Sequence, residues 1–393
     1  MTLPKIEEWI QEVETRPGSA MTILKLIAGR LRDLTERNEQ LLAENIALQD
    51  GSRVEEYKRR IAHLEFQLDL LKRRFGMDPQ ALEALTAEPA PVPVSLLVYS
   101  ARGRILRIEP GDGKDSLGHL GGELVPGGEL PRLLAVRENE EILLLFSSGR
   151  VGTCPAEALP LLPAGGTWAW EQGALPDEPH AGERLTCLTP LSSLPLADYF
   201  LQTSRRGCLK KTMTAIADNV LTNHYIGKGA IEKTDQPLDL LLGHKSDRLA
   251  LVSHEGRLLG LNVDDLSYSV EERVKLDGTD HIAASFTYQE DELIFCLTQT
   301  GKVISKSPAF VEVMKTSLSR GQALIPPGRL EQGIRFIGAA SVKPADRVAI
   351  LDESGDLRLY AQADLVSAGS VETEAPLLAF GILPGRDEKK PRS

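Results

Sequence analysis

Asp291-Glu-Leu-Ile-Phe-Cys-Leu-Thr-Gln-Thr-Gly-Lys302 is the stretch whose reading decides the fold. It opens on two acids, runs through five apolar residues and ends on Thr-x-x-Gly before a lysine. The apolar run reads as a strand buried on both faces. Gly301 supplies the positive φ that a short reversal needs, and Thr298 can bond the turn backbone through its side-chain oxygen. Asp198-Tyr-Phe-Leu-Gln-Thr-Ser-Arg-Arg-Gly207 is a second copy of the same pattern. Aligned on the glycine, the chain repeats at Gly103, Gly149, Gly207, Gly256, Gly301 and Gly355, at intervals of 46, 58, 49, 45 and 54 residues.

Other positions of the repeat agree. Nine residues before each glycine stand Val94, Glu140, Asp198, Asp247, Glu292 and Asp346; five of the six are acids, read as solvated positions opening a strand. Seven before stand Leu96, Ile142, Phe200, Leu249, Ile294 and Val348, all apolar. Three before stand Ser100, Phe146, Ser204, Ser253, Thr298 and Asp352, and two after stand Ile105, Val151, Leu209, Leu258, Val303 and Leu357. Further apolar stretches, such as Leu133–Val136, Leu185–Leu188 and Ile282–Phe286, lie upstream of hairpins. They bring the unit to roughly four short strands, the size of one propeller blade. Radial arrangement hides sheet edges, so residues 94–384 are expected to form an all-β six-bladed β-propeller or pinwheel. An open β-solenoid is the alternative packing of the same repeat.

Upstream the period changes. Leu24, Leu31, Asn38 and Asn45 at heptad position a place Ile27, Leu34, Leu41 and Leu48 at d. Leucine at d with asparagine at a is the pattern of a parallel two-stranded coiled coil, because paired asparagines satisfy each other only in register. A second heptad through Val54, Tyr57, Ile61, Leu64, Leu68, Leu71 and Phe75 follows a phase slip near Gly51. The slip also permits an intramolecular helical hairpin turning at Asp50-Gly51-Ser52, and a lone amphipathic helix packed on the ring is a third arrangement. The favoured organisation is an α-helical coiled coil over 1–80 that makes a homodimer, a Pro-rich spacer over 81–93, the ring, and a charged tail over 385–393. Pro89, Pro91 and Pro93 make the spacer stiff and extended.

Composition bounds the function. The hydrophobic share of 42% and charged share of 26% suit a soluble protein. No apolar run approaches the roughly 18 residues that span a bilayer. The amino-terminus lacks the basic-then-apolar order of a signal peptide, so a cytoplasmic, nucleoid-associated location and no membrane partner are expected. Cys154, Cys187, Cys208 and Cys296 never form a C-x-x-C pair, and they read as buried thiols rather than zinc ligands. The net charge of −11 is uneven: residues 81–190 hold 8 basic and 15 acidic side chains, whereas 197–330 hold 16 and 17.

On the repeat, its period and the acid–strand–Thr-x-x-Gly pattern, the chain resembles the carboxy-terminal β-pinwheel domain of the DNA gyrase and topoisomerase IV A subunits. The likeness covers about 94–384 and is clearest over 190–365. It implies a non-catalytic ring whose basic rim bends or wraps double-stranded DNA irrespective of sequence, with a topoisomerase or another nucleoid protein as a further partner. Two departures restrict it. The strand-breaking domain has no counterpart ahead of the heptads. The gyrase box is absent too, its nearest echo being Ile226-Gly227-Lys228-Gly229-Ala230-Ile231. Simple binding or bending is therefore the reading carried forward.

The position after the turn glycine holds Arg104, Arg150, Cys208, Arg257, Lys302 and Asp356, four of the six basic, which radial repetition would set in an interrupted ring of charge. Blade three adds Arg205, Arg206, Lys210 and Lys211, and the echo of the box adds Lys228. Blade five adds Lys306, with Lys315 and Arg320 in the connection after it. Contacts of such residues with phosphates give salt-dependent, sequence-independent affinity. Solubilising charge at hairpin ends is the plainer explanation of the same residues. His224, His244, His254 and His281 are assigned to different blades and lack ligand spacing; Gly111-Asp-Gly113 and Gly165-Gly166 lack the Lys-Ser or Lys-Thr of a phosphate loop. Trp168 and Trp170 read as core. No catalytic residue, metal or cofactor is expected. A propeller acting as a protein–protein scaffold without DNA binding is the alternative function.

If Asn38 and Asn45 pair in a parallel dimer, deletion of residues 1–80 leaves a monomeric ring, whereas light scattering on the full chain gives twice the monomer mass. A monomeric full chain overturns the dimer.

Overall fold

The computed structural model describes residues 93–111, 116–230, 235–314 and 318–385, together with Met21 and Lys25, which are helical and exposed. The chain divides into two units, Met1–Ala90 and Pro91–Ser393. The heptad residues Leu24 to Leu48 lie outside the described residues, as does the tail beyond Gly385.

The second unit repeats one order of elements: a hairpin, an excursion, and a third strand. The first three repeats are built on β1 (Val94–Tyr99), β2 (Ile105–Ile108), β3 (Ser116–Gly121) and β4 (Arg132–Arg137), then β5 (Glu141–Phe146), β6 (Val151–Pro155), β7 (Leu161–Leu162), β8 (Gly166–Ala169) and β9 (Leu185–Pro190), then β10 (Tyr199–Ser204), β11 (Cys208–Met213), α1 (Ala217–Asn223) and β12 (Pro237–Gly243). The last three use β13 (Arg248–Ser253), β14 (Arg257–Asn262), β15 (Glu271–Glu272) and β16 (Ile282–Tyr288), then β17 (Leu293–Thr298), β18 (Val303–Lys306), β19 (Gln322–Ala323), α2 (Pro327–Glu331) and β20 (Phe336–Val342), then β21 (Arg347–Asp352), β22 (Asp356–Ala361), α3 (Gln362–Ala368) and β23 (Leu377–Leu383). Six sheets result. In each, the third strand flanks the hairpin on one side, as β4 pairs with β1 and β20 with β17. The stretches at 133, 185 and 282 therefore belong to the hairpin before them, not the one after.

The other edge of each blade is supplied by the next repeat. β7 pairs with β2, β15 with β11 and β19 with β14. Single bridges do the same work at Arg150–Tyr225 and Lys302–Ser370. β3, from the excursion after the first hairpin, pairs with β22 of the sixth blade and closes the ring, with β8 added outside it. Blades two and five are consequently three-stranded and blade six five-stranded, instead of four throughout. His119 on β3 and Asp356 on β22 meet at 3.0 Å across the closing seam.

Burial explains why the first strand of every hairpin is apolar at consecutive positions. Leu96 and Val98 pack with Ala349, Leu351 and Leu357 of blade six, whereas Leu97 and Tyr99 pack with Ile142, Leu144 and Phe146 of blade two. Leu143 and Leu145 then face Phe200, and Leu201 faces Leu249 and Leu251. Phe295 and Leu297 face Val348 and Ile350, so the alternation runs around the ring. Each interface removes several Leu, Ile or Phe side chains from water, at about 1.5–3 kcal/mol apiece.

The turns repeat atom for atom. Each turn glycine has φ between 77° and 96° and donates its N–H to the carbonyl three residues earlier. Ser100, Ser204, Ser253, Thr298 and Asp352 accept the N–H of the residue after the glycine, at 2.8–3.3 Å. Phe146 cannot, and there Ser148 accepts from Arg150 at 3.1 Å. The acids that open the strands are not merely solvated as expected, although Asp198 is exposed: each of the five satisfies a backbone amide. Asp247, Glu292 and Asp346 accept the N–H three residues upstream, Asp198 accepts from Lys245, and Glu140, buried, accepts from Ser192. A strand entering the ring leaves those amides without ladder partners, and a carboxylate satisfies them.

Gly355 has φ +96°, and a Cβ on it would stand 2.1 Å from the Leu120 carbonyl oxygen; Gly182, at φ +80°, has open space around it. Gly182→Ala is expected to cost about 1–2 kcal/mol from backbone strain alone. Gly355→Ala adds about 1–3 kcal/mol of overpacking, read as the lower melting temperature of the two by circular dichroism. Equal melting temperatures contradict a tight closing seam.

Candidate nucleic-acid interface

The basic residues singled out in the sequence fall into three groups. The first is spent on structure. Arg150 places its guanidinium 3.7 Å from the Phe146 ring and pairs with Asp177 at 2.8 Å and Glu183 at 2.9 Å. Burial works against its charge, but the bonds to Glu183 and Asp177 outweigh that and raise its pKa. Lys211 is buried, donates to the Asp264 carbonyl at 2.7 Å, and lies over the rings of Tyr199 and Tyr268. Arg206 donates to the Asp280 carbonyl at 2.8 Å.

The second group carries no carboxylate partner among the described residues. Lys210 on β11, Arg257 at the start of β14, and Lys302 and Lys306 flanking and ending β18 are half-buried cations on three consecutive blades. The Lys306 ammonium sits 4.5 Å from the Phe310 ring. Lys228 is exposed in the loop whose backbone meets Gly149, and Arg104 is exposed, donating to the Glu171 carbonyl. Arg320, exposed, falls outside this group because it pairs with Asp277 at 3.7 Å. Lys315 lies outside the described residues.

Arg205 forms the third group alone. The four cations of blade three, expected as one cluster, separate because Arg205 and Arg206 occupy the turn while Lys210 and Lys211 alternate along β11. The turn of blade three lies at the end of the ring where the third strands begin, since Ser204 pairs with Pro237 as Tyr99 does with Arg132. Arg205 there reaches a cavity on the axis.

The lining of that cavity was not legible from motifs. Arg132 donates to the carbonyls of Thr186 at 2.9 Å and Leu238 at 3.0 Å and pairs with the Asp239 carboxylate, tying blades one, two and three together. Asp239 also accepts from Ser285 of blade four at 2.7 Å. Burial opposes the Arg132 charge, yet Asp239 beside it pushes its pKa up. The side chain keeps 36% of its surface open because it faces the cavity. Burial pushes the nearby Cys187 thiol and Tyr99 hydroxyl each to about 12. His254 and His281, expected in different blades, both belong to blade four and stack at 4.7 Å. A turn residue and the residue before a third strand become neighbours only through strand pairing, which no spacing rule contains.

All four cysteines are buried and free, and among the described residues no three His, Cys, Asp or Glu side chains are placed to hold a metal ion. No helix among them is long and apolar enough to cross a membrane. Trp170 is buried and Trp168 packs against the same core, as the sequence suggested, although only Trp168 lies on a strand.

No protein-family model matches the sequence, and no curated protein matches it. Solved structures do. The DNA gyrase A C-terminal domain superposes with a TM-score of 0.57 at 10% identity, over 74% of this chain and all of that domain (100%). The C-terminal domain of DNA topoisomerase IV matches at 17% identity with a TM-score of 0.47, over 75% of this chain and 94% of that one. The ring thus has the fold of the gyrase A C-terminal domain, as the repeat implied.

His281 is held down from 6.5 to about 4, first by burial and then by the Arg205 charge. The folded state therefore binds this proton less readily than the unfolded chain, and stability is lost as pH falls from 6.5 towards about 4. His281→Gln is expected to flatten that limb of the melting temperature against pH. An unchanged profile removes His281 as its source.

Proposed function

We propose that this protein is a non-catalytic, sequence-independent binder of duplex DNA, dimerised through its amino-terminal helix, that bends or holds DNA in the cytoplasm near the nucleoid. One observation carries the reading. Lys210, Arg257, Lys302 and Lys306 present cations without carboxylate partners on or beside the second hairpin strand of three successive blades. Charges left unpaired on successive blades can neutralise successive phosphates along a backbone. The acidic surplus sits elsewhere, in residues 81–190. A fold shared with a domain of DNA gyrase A supports the same direction. No step of bond-making is assigned; burial pushes the Cys187 and Cys296 thiols and the Tyr99 hydroxyl up. A topoisomerase or another nucleoid protein is a fitting partner for such a binder.

Retardation of duplex DNA by the full chain is expected to weaken with a log–log salt slope of about −0.9 per neutralised phosphate. Glutamate at Lys210, Arg257, Lys302 and Lys306 together is expected to lower affinity at least tenfold for all sequences alike and to flatten the slope by about 0.9 for each phosphate no longer neutralised. Glutamate at Arg150 and Lys211 instead is expected to lower the melting temperature. Wild-type protein that leaves DNA unretarded at low salt ends the DNA reading and favours the protein-scaffold alternative.

A further inference from the structure

The cavity on the ring axis has a volume of about 440 Å³ and receives a residue from the start of every third strand: Arg132, Leu185, Leu238, Ile282, Phe336 and Leu378. That size is in the range of small-molecule sites, which combine apolar walls with a few convergent polar groups. A duplex cannot enter it. We propose that this axial mouth binds a small organic anion, with Arg205 receiving a phosphate or carboxylate head and the apolar wall receiving the body.

Within the cavity Arg132, Arg184 and Arg205 face two carboxylates, while Asp235 and Asp280, beside Arg205 in the adjoining pocket, are engaged by backbone amides. Asp239 pairs with Arg132, and Glu129 pairs with Arg184. Arg205 is the cation left over. Its guanidinium makes no hydrogen bond or ion pair with any described residue, while its backbone is fixed at both ends: its N–H donates to Gln236 at 2.9 Å, and its carbonyl accepts from Ile282 at 2.9 Å. The turn thus fixes the Arg205 backbone at the rim and leaves its exposed side chain available.

The surroundings make an anion welcome. Desolvation first and the Arg132 charge second lower the pKa of Arg205, with Glu129 opposing and Arg184 adding to the shift. His254 and His281 are both pushed down, by burial first, and remain neutral beside it. Such a pocket stands out in a chain of net charge −11. An anionic head would relieve the repulsion among the arginines and accept the free guanidinium N–H groups, which present a fork suited to two oxygens. Leu130, 42% exposed at the rim, and Phe336 and Leu378 deeper in offer the apolar contact.

Calorimetric titration of the full chain at low salt with inorganic phosphate, phenyl phosphate, benzoate and phenol tests this. Phenyl phosphate or benzoate is expected to bind at least tenfold tighter than inorganic phosphate, and phenol not at all; which of the two wins identifies the head. Arg205→Ala is expected to weaken the better ligand at least tenfold, Arg205→Lys to restore part of the loss, and Arg257→Ala to leave it unchanged. Circular dichroism verifies that the variants fold, and the His281 ring resonances are expected to shift on titration of the wild type and Arg257→Ala but not of Arg205→Ala. Ligands no tighter than inorganic phosphate, or binding undiminished in Arg205→Ala, overturn the site. Neither outcome bears on duplex binding through Lys210, Arg257, Lys302 and Lys306.

Discussion

The carbonyl oxygens of Gly103, Gly149, Gly207, Gly256, Gly301 and Gly355 each accept an N–H from the next repeat, donated in turn by Leu175, Ile226, Arg273, Leu324, Val371 and Leu120 at 2.7–3.1 Å. Everything else in the ring follows from this contact. The neighbouring chain approaches the turn so closely that a Cβ has no room; at all six glycines one would fall within 2.1–2.7 Å of a neighbouring atom, backbone at Gly149, Gly301 and Gly355 and side chain at Gly103, Gly207 and Gly256. The residue is therefore required for two reasons, a positive φ and a close neighbour at its side. Because each blade borrows an edge from the next, no blade is complete alone, and the closed ring is the smallest unit with every edge covered.

Most of this was legible in the sequence. The glycine spacing, the doubly buried strand and the hydroxyl or carboxylate three residues before the glycine all carry direct physical meanings, and the structure uses each of them. What could not be read is the exchange between repeats. β15 is two residues long, and the bridge at Tyr225 is one. Segments so short carry no periodicity, and their partners are chosen by geometry around the ring. The acids at strand openings were misread for a related reason: an acid in a turn looks solvated until the amides it accepts are visible.

The same limit applied to the basic residues. Sequence can find a repeated cation but not the neighbours that neutralise it. Arg150 and Arg257 stand at equivalent positions. Asp177 and Glu183, from the long excursion of blade two, reach only the first. Lys210 and Lys211 are adjacent, but strand alternation sends Lys211 inside, against two tyrosines, and leaves Lys210 unpaired. The axial charges were missed altogether, since Arg132 and Asp239 lie 107 residues apart and meet only because blades one and three face a common axis.

The closing seam also imposes an order in time. His119 on β3 and its partner Asp356 on β22 are 237 residues apart. At synthesis rates of roughly 5–20 residues per second, β3 leaves the ribosome about ten to fifty seconds before β22 exists. Through that interval the first hairpins can stack on one another while β3 remains a bare edge, able to pair with whatever strand arrives first. A neighbouring nascent chain supplies the same β22 and would join two copies into an exchanged pair. Ring closure in this protein thus waits on the synthesis of β22.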